Sequence, residues 1–260
     1  MGKNKLRKFA EMKEMANVVE TPRDVLLSGG FSLKGHWRSE FFPQDLPIVL
    51  ELGCGKGEYT VGLARRDACR NHIGVDIKGA RMYTGAREAL DTGLSNAAFL
   101  RTEIELIDQF FAPGEVEEIW ITFPDPQMKK VNKRLTSTRF LRSYRKFLSP
   151  DGVVNLKTDS PFLFEYTRRL AQLNGLEIID LSTDLHGEGR TGNTTDIRTF
   201  YESQWLARGK KIKFISFRIG AGDLTEPDTS DLEKDDYRAV PRFNPNEEFL
   251  PNSKYDNSIS

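Results

Sequence analysis

From Ile48 onward the apolar and polar positions fall into a repeating rhythm. Short continuous apolar runs alternate with longer stretches whose apolar residues recur every three or four positions, the signatures of buried strands and amphipathic helices. Ile48–Leu52 is the first such run, and Gly53-Cys54-Gly55-Lys56-Gly57 turns the chain into a helix over Tyr59–Arg66. His72–Ile77 predicts a second strand, followed by a helix over Ala80–Leu90. Ala97–Leu100 is a third strand, followed by a helix around Glu105–Phe111, and Glu118–Phe123 is the fourth strand. Thr138–Leu148 again has helical spacing, and Ser149-Pro150-Asp151-Gly152 turns the chain into a fifth strand, Val153–Leu156. A helix over Phe162–Leu173, a strand over Leu176–Leu181 and an alternating edge strand within Lys211–Ile219 complete the pattern. Alternating β and α elements of this length predict an α/β domain with a mostly parallel, seven-stranded sheet and helices on both faces.

The segments outside this rhythm define the expected boundaries. Residues 1–40 read as a basic N-terminal arm and lead-in, residues 41–220 as the folded domain, and residues 221–260 as an acidic tail, disordered or loosely docked. The net charge of zero hides this division: the tail carries ten Asp/Glu against four Lys/Arg, so the body is net +6. A mildly basic body is compatible with a polyanionic partner. Two cysteines, Cys54 and Cys69, are too few for a disulfide framework or a zinc site. With neither a membrane-length apolar run nor a signal-peptide core, the expectation is a cytoplasmic protein with no metal and no membrane partner, monomeric or homodimeric.

Candidate chemistry gathers where predicted strands end. Ile119-Trp-Ile-Thr-Phe-Pro-Asp-Pro126 leaves the sheet at Pro124, and Asp125 is held between two proline rings at the carboxyl edge, where open α/β sheets bind ligands. From Lys129 to Lys146 there are eight Lys/Arg and no acid, a basic apron suited to a nucleic acid. The turn Gly53-Cys-Gly-Lys-Gly57 carries glycines at every second position and Glu58 where a dinucleotide fingerprint has its third glycine, so it resembles an S-adenosylmethionine (SAM) loop more than a pyrophosphate cradle. Asp76, about twenty residues on at the end of the second strand, is placed to accept from ribose hydroxyls. Glu103 lies just past the third strand, either toward an adenine or as a helix N-terminal acid. Glu51, at the last core position of its strand, contacts the cationic end of a cofactor or supports the glycine turn.

Together these residues resemble the bacterial tRNA (guanine-N7-)-methyltransferase family. The matching segments run in order over most of residues 1–219: Gly2-Lys-Asn-Lys-Leu-Arg-Lys8, Glu51-Leu-Gly-Cys-Gly-Lys-Gly57, Gly74-Val-Asp-Ile77, Phe123-Pro-Asp-Pro126 with Lys129-Lys130 and Lys133-Arg134, Lys157-Thr-Asp159, and Thr199-Phe-Tyr-Glu202. The resemblance implies a Rossmann-like SAM-dependent methyltransferase fold and methyl transfer to N7 of a tRNA guanine, the one in the variable loop (position 46 in standard tRNA numbering). It implies that Glu51, Gly53, Gly55, Asp76, Glu103 and Asp125 bind SAM, with Asp125 also catalytic. Lys129, Asp159, Thr199 and Glu202 would then bind the substrate, and Lys130, Lys133 and Arg134 would contact RNA. Asp159 has a competing reading as the N-cap of the helix near Pro161, and Thr199 and Glu202 as a loop hydrogen bond or ion pair. The chain departs from the family where Gln127-Met128 stands in place of Trp-Pro, and where Val131-Asn132 stands in place of Arg-His before a longer basic run that here ends at Leu135. The alternatives are another RNA base methyltransferase, acting on rRNA or an exocyclic amine, and a non-catalytic RNA-binding protein that keeps the SAM fold. Transfer of label to an identified base separates them.

Overall fold

A computed structural model describes residues 3–190, 192 and 194–235, with side chains from residue 7 onward. The ends of both expected tails, residues 1–2 and 236–260, lie outside the described residues. The sheet is built from β1 (Val18–Glu20), β2 (Ile48–Leu52), β3 (Asn71–Asp76), β4 (Ala97–Arg101), β5 (Val116–Thr122), β6 (Leu148–Thr158), β7 (Ile178–Ser182) and β8 (Lys213–Arg218). Its spatial order is β1-β4-β3-β2-β5-β6-β8-β7, and β8 alone runs antiparallel to its neighbours. The helices are α1 (Lys3–Lys13), α2 (Arg23–Leu27), α3 (Glu58–Arg66), α4 (Gly79–Asp91), α5 (Thr138–Tyr144), α6 (Pro161–Leu173) and α7 (Phe200–Ala207). The fold is a mixed α/β, mostly parallel, Rossmann-like sheet with eight strands where the pattern predicts seven. The extra strand is β1, whose three residues pair with Phe99–Arg101 and are too short to show a period.

β2 is buried at all five positions, which is why it reads as a continuous apolar run interrupted only by Glu51. The connections run from β2 toward β3 on one side, whereas β5 lies on the other, so the crevice beyond β2 and β5 is the topological switch point of the sheet. One face is closed by a large cluster that includes Trp37, Leu50, Phe110, Ile119, Tyr144 and Tyr166. Trp37 opens a single π-helical turn, Trp37–Phe41, and its indole N–H donates to the Phe110 carbonyl at 2.9 Å.

Three local differences from the expected pattern have physical causes. The helix predicted to Leu148 stops at Tyr144, and β6 begins at Leu148 because Leu148 pairs with Val116 before a register shift to Val153 opposite Glu118. Ser149–Gly152 is therefore an irregularity within the strand. The expected helix at Glu105–Phe111 is a 3₁₀ segment, Ile104–Gln109. The basic arm from residue 3 is helical and packs on α4, with Met12 buried and the Tyr83 hydroxyl donating to Glu11.

The first part of the acidic tail is docked on the body. Leu224 is buried, Glu226 accepts from the Thr138 amide at 2.8 Å and the Tyr166 hydroxyl at 2.6 Å, and Asp231 pairs with Arg169 at 2.7 Å. Asp235 accepts from the Phe162 amide at 3.1 Å and from the Ser160 hydroxyl, at the N-terminus of α6.

Candidate active site

The switch point is built around Glu51. Its carboxylate accepts from the Thr60 amide (2.9 Å) and hydroxyl (2.5 Å) on α3, and from the Thr122 hydroxyl (2.6 Å) at the end of β5. The side chain thus ties the helix after the glycine turn to the strand that leads to Asp125. Burial pushes its carboxyl up to about 7, against the lowering effect of the Thr122 and Thr60 hydrogen bonds. Of the two expected roles, this geometry matches support of the glycine turn.

That turn is a succession of left-handed residues, with φ of 84° at Gly53, 56° at Gly55 and 75° at Gly57. The glycines divide by what surrounds them. An added Cβ at Gly57 would lie 2.5 Å from the Phe99 ring and 3.2 Å from Gly85, so this glycine lets α3 and α4 close on β4. An added Cβ at Gly53 would meet nothing within 4 Å. Gly53 therefore presents bare backbone to open space at the mouth of the crevice, where a ligand can approach. The Val75 carbonyl accepts from both the Gly53 and Cys54 amides, and the Asp76 carboxylate accepts from the Gly55 amide (3.0 Å) and the Lys78 amide (2.7 Å). Asp76 lies opposite Arg101 in the adjacent strand, and Glu103 follows two residues beyond it. Glu103 is exposed and meets Arg23 of α2 at 3.1 Å.

On the other side of the crevice, Asp125 sits in an unusual backbone. Phe123 and Gln127 are the two non-glycine residues with positive φ among the described residues, at 49° and 48°. Each such position costs on the order of 1–3 kcal/mol and persists only where its surroundings hold it. Here the Phe123 amide donates to the Lys157 carbonyl at 2.8 Å, and the Gln127 amide donates to the Asp125 carboxylate at 2.9 Å. Arg134 holds the far side: its guanidinium donates to the Gln127 and Met128 carbonyls at 3.2 and 3.0 Å and lies over the Tyr166 and Phe162 rings. Arg134 is 2% exposed, so the expected RNA contact is corrected. It is a strut beneath the Asp125 loop. Lys129 and Lys130 are exposed, and Lys133 pairs with Glu105 at 2.5 Å.

The remaining expected substrate residues lie just after β6 and at the start of α7. Asp159 is buried immediately after that strand, and the N-cap of α6 is Ser160, whose hydroxyl accepts from the Leu163 amide at 2.9 Å. Asp159 therefore is not the cap, and its carboxylate acts on Lys213 instead. Thr199 caps α7 by accepting from the Glu202 amide at 3.2 Å. Glu202 departs from expectation. Its side chain is fully buried and its oxygens are taken by Lys157 (2.8 and 2.9 Å) and His186 (2.8 Å). Lys157, also fully buried, donates to the Thr195 and Ile197 carbonyls at 2.6 and 2.9 Å. Burial lowers the Lys157 pKa, and Glu202 opposes that shift. In this arrangement Glu202 reaches the substrate side only through the 195–199 backbone that it helps to hold. Phe200 bonds through its amide to Glu58 at 2.8 Å, which joins this segment to α3 and the glycine turn.

The buried role of Lys157, the contact of His186 and helix α7 itself go beyond the expected site. The signal was Thr199-x-x-Glu202, which is a helix-start pattern as well as a family motif.

The family model described as "Putative methyltransferase" matches residues 45–215. A tRNA (guanine-N(7)-)-methyltransferase of Bacteroides thetaiotaomicron is 54% identical over 243 residues, covering 93% of this chain and 96% of the relative. One of Porphyromonas gingivalis is 56% identical over 236 residues, covering 89% and 96%. The chain belongs to this family. The family extends to Bacillus subtilis at 32% identity, over 73% of this chain and 88% of the relative. Among solved structures, the 16S rRNA methyltransferase KamB superposes with a TM-score of 0.52 at 15% identity, over 67% of this chain and 88% of that one. An antibiotic-related methyltransferase gives 0.51 at 18%, over 78% and 96%. At those identities the likeness is one of fold. Among the described residues no helix is long and apolar enough to cross a membrane, and no His/Cys/Asp/Glu group is suited to a metal ion.

Proposed function

We propose that this chain transfers a methyl group from SAM to N7 of the variable-loop guanine of tRNA, in the cytoplasm. The observation that carries the reading is Asp125: an exposed carboxylate at the switch point, held by two left-handed residues and by Arg134, across the crevice from the open face of Gly53. The crevice fits SAM on its own chemistry. Gly53 and Gly55 leave backbone accessible, while Asp76 and Glu103 line the adjacent strand ends, where a ribose and an adenine would be met. Glu51 would act by fixing the turn and Thr122. When bound, SAM supplies an electrophilic methyl group on a sulfonium.

The chain's own contribution is placement and charge. Guanine N7 has an in-plane lone pair and no proton to lose, so no general base is needed. Alignment of the nucleophile and exclusion of water carry much of the barrier reduction. Methylation leaves the purine ring cationic, and a carboxylate already fixed in place stabilises that developing charge without reorganising. Asp125 suits this role because its loop is locked before substrate arrives. Asp159 suits the N1–H and amino edge that distinguishes guanine from adenine. Lys129 and Lys130 are exposed toward phosphates. The test is incubation with labelled SAM and either unmodified tRNA or rRNA, followed by nuclease mapping of the label. Label on the variable-loop guanine supports the reading; label on adenine or on rRNA alone, or no transfer, overturns it.

A further inference from the structure

Much of the expected basic apron is engaged by the protein's own groups. Of its eight cations, Arg134 is buried, Arg142 and Arg145 donate to the Leu224 and Ile219 carbonyls, and Lys133 and Lys146 pair with Glu105 and Asp108. Arg139 donates to the Asn132 carbonyl, and Lys129 and Lys130 are exposed without such a contact among the described residues, a narrow footing for a structured RNA.

A second cationic surface stands on the opposite flank. Ser203–Gly222 contains no Asp or Glu, and within it Arg208, Gly209, Lys210 and Lys211 are exposed in the turn between α7 and β8. The sheet register places that turn. β8 starts at Lys213, opposite Thr158, the residue before Asp159, so the turn lies at the same carboxyl edge as the site. β6 separates β8 from β5, whose loop carries Lys129 and Lys130. With strands about 4.8 Å apart, the strand ends that carry the two cationic segments are separated by about 10 Å across the end of β6. The acids near the turn are few: Lys211 meets Asp184 at 3.3 Å with its side chain two-thirds exposed, and Asp159 and Asp235 act on the half-buried Lys213. Lys210 and Arg208 form no ion pair among the described residues; the Arg208 guanidinium lies over the Trp205 ring at 5.2 Å.

We propose that the α7–β8 turn, through Arg208, Lys210 and Lys211, is a second phosphate-binding surface for the tRNA backbone, gripping the strand on the side of Asp159 opposite Lys129 and Lys130. The inference rests on the reading that the Asp125–Asp159 edge receives the tRNA guanine. Two cationic flanks with the acids between them would seat phosphates on both sides of an inserted base, and the acid pocket would not by itself repel the backbone.

The test compares the full-length chain with Arg208→Gln/Lys210→Gln/Lys211→Gln and with Lys129→Gln/Lys130→Gln. Unmodified tRNA binding is measured by fluorescence anisotropy from 50 to 300 mM KCl, together with steady-state kinetics and SAM affinity. The triple variant is expected to flatten the slope of log K against log[KCl] by about 2, since each phosphate contact contributes about 0.7–0.9. KM for tRNA should rise about tenfold or more, the loss falling on KM rather than kcat, with SAM affinity unchanged. An unchanged slope and KM in the triple variant, while Lys129→Gln/Lys130→Gln flattens the slope and raises KM, overturns this surface and leaves the functional reading standing. If the parent chain itself neither binds nor methylates tRNA, the functional reading fails and this surface with it. Loss of SAM affinity in the triple variant overturns the assignment in favour of a role in the fold.

Discussion

Replacing Glu51 by Gln should change how stability depends on pH, in a way that only its burial explains. The carboxyl has no cationic partner in contact with it and is held up to about 7 in the folded chain against an ordinary value of 4.5. A group whose folded pKa is raised stabilises fully below its unfolded pKa, and that stability is lost as pH rises through the folded pKa. Between about pH 4.5 and 7 Glu51 therefore removes about 1.4 kcal/mol per pH unit, on the order of 3 kcal/mol in all. His72 works in the opposite sense. It is buried on β3 and lowered from 6.5 to about 4, so the unfolded chain binds a proton that the folded chain does not. Its contribution rises with pH by about the same slope between about pH 4 and 6.5. In the parent chain the two nearly cancel over pH 4.5–6.5. Glu51→Gln keeps the shape and the hydrogen-bonding oxygen for Thr60 but cannot ionise. The variant should therefore gain stability steadily as pH rises from 4.5 to 6.5, whereas the parent changes little from these groups. Urea unfolding at half-unit pH steps, with m compared between the two proteins, reads this directly. Parallel curves for parent and variant from pH 4.5 to 7 would refute the reasoning.

Four further substitutions test other parts of the site. Glu202→Ala leaves the Lys157 ammonium buried without its charge partner, a loss of about 3–5 kcal/mol that should lower Tm by about 10 °C; a Tm within 2 °C of the parent would show that the pair does not hold the segment. Gly57→Ala forces a methyl group to within 2.5 Å of Phe99 and should cost about 3 kcal/mol, whereas Gly53→Ala, with open space around it, should cost about 1 kcal/mol of strain yet weaken SAM binding. Calorimetry that finds SAM affinity untouched in Gly53→Ala would move the cofactor elsewhere. Asp125→Ala should reduce kcat by about 10²–10³ while SAM affinity stays within about tenfold, equal to ~1.4 kcal/mol; an effect confined to tRNA binding would remove its catalytic role.

The parts legible in the sequence are those where one physical signal dominates. β2 to β5 read correctly because buried parallel strands are apolar runs, and Pro161–Leu173 because its apolar stripe has a helical period. Asp76, Asp125 and Asp159 stood out because each is an acid where an apolar strand ends. β1 is too short to carry a period, and α7 has little apolar asymmetry, so its start depended on a cap at Thr199. Lys157, Glu202 and Arg134 were harder for one shared reason. A charged residue in isolation reads as facing water, and only the three-dimensional pairing reveals that each is buried with its partners. That is also why the cations of 129–146 read as one continuous surface although Arg134 is a buried strut and Arg142 and Arg145 are tied to backbone carbonyls.

The central claim is that this edge delivers a methyl group to N7 of one guanine. Its most direct test uses two tRNA transcripts that differ at the variable-loop guanine alone, one with guanosine and one with 7-deazaguanosine, incubated with labelled SAM. The account predicts transfer to the first and none to the second, with binding of both within a few-fold. Equal labelling of the two transcripts would contradict it.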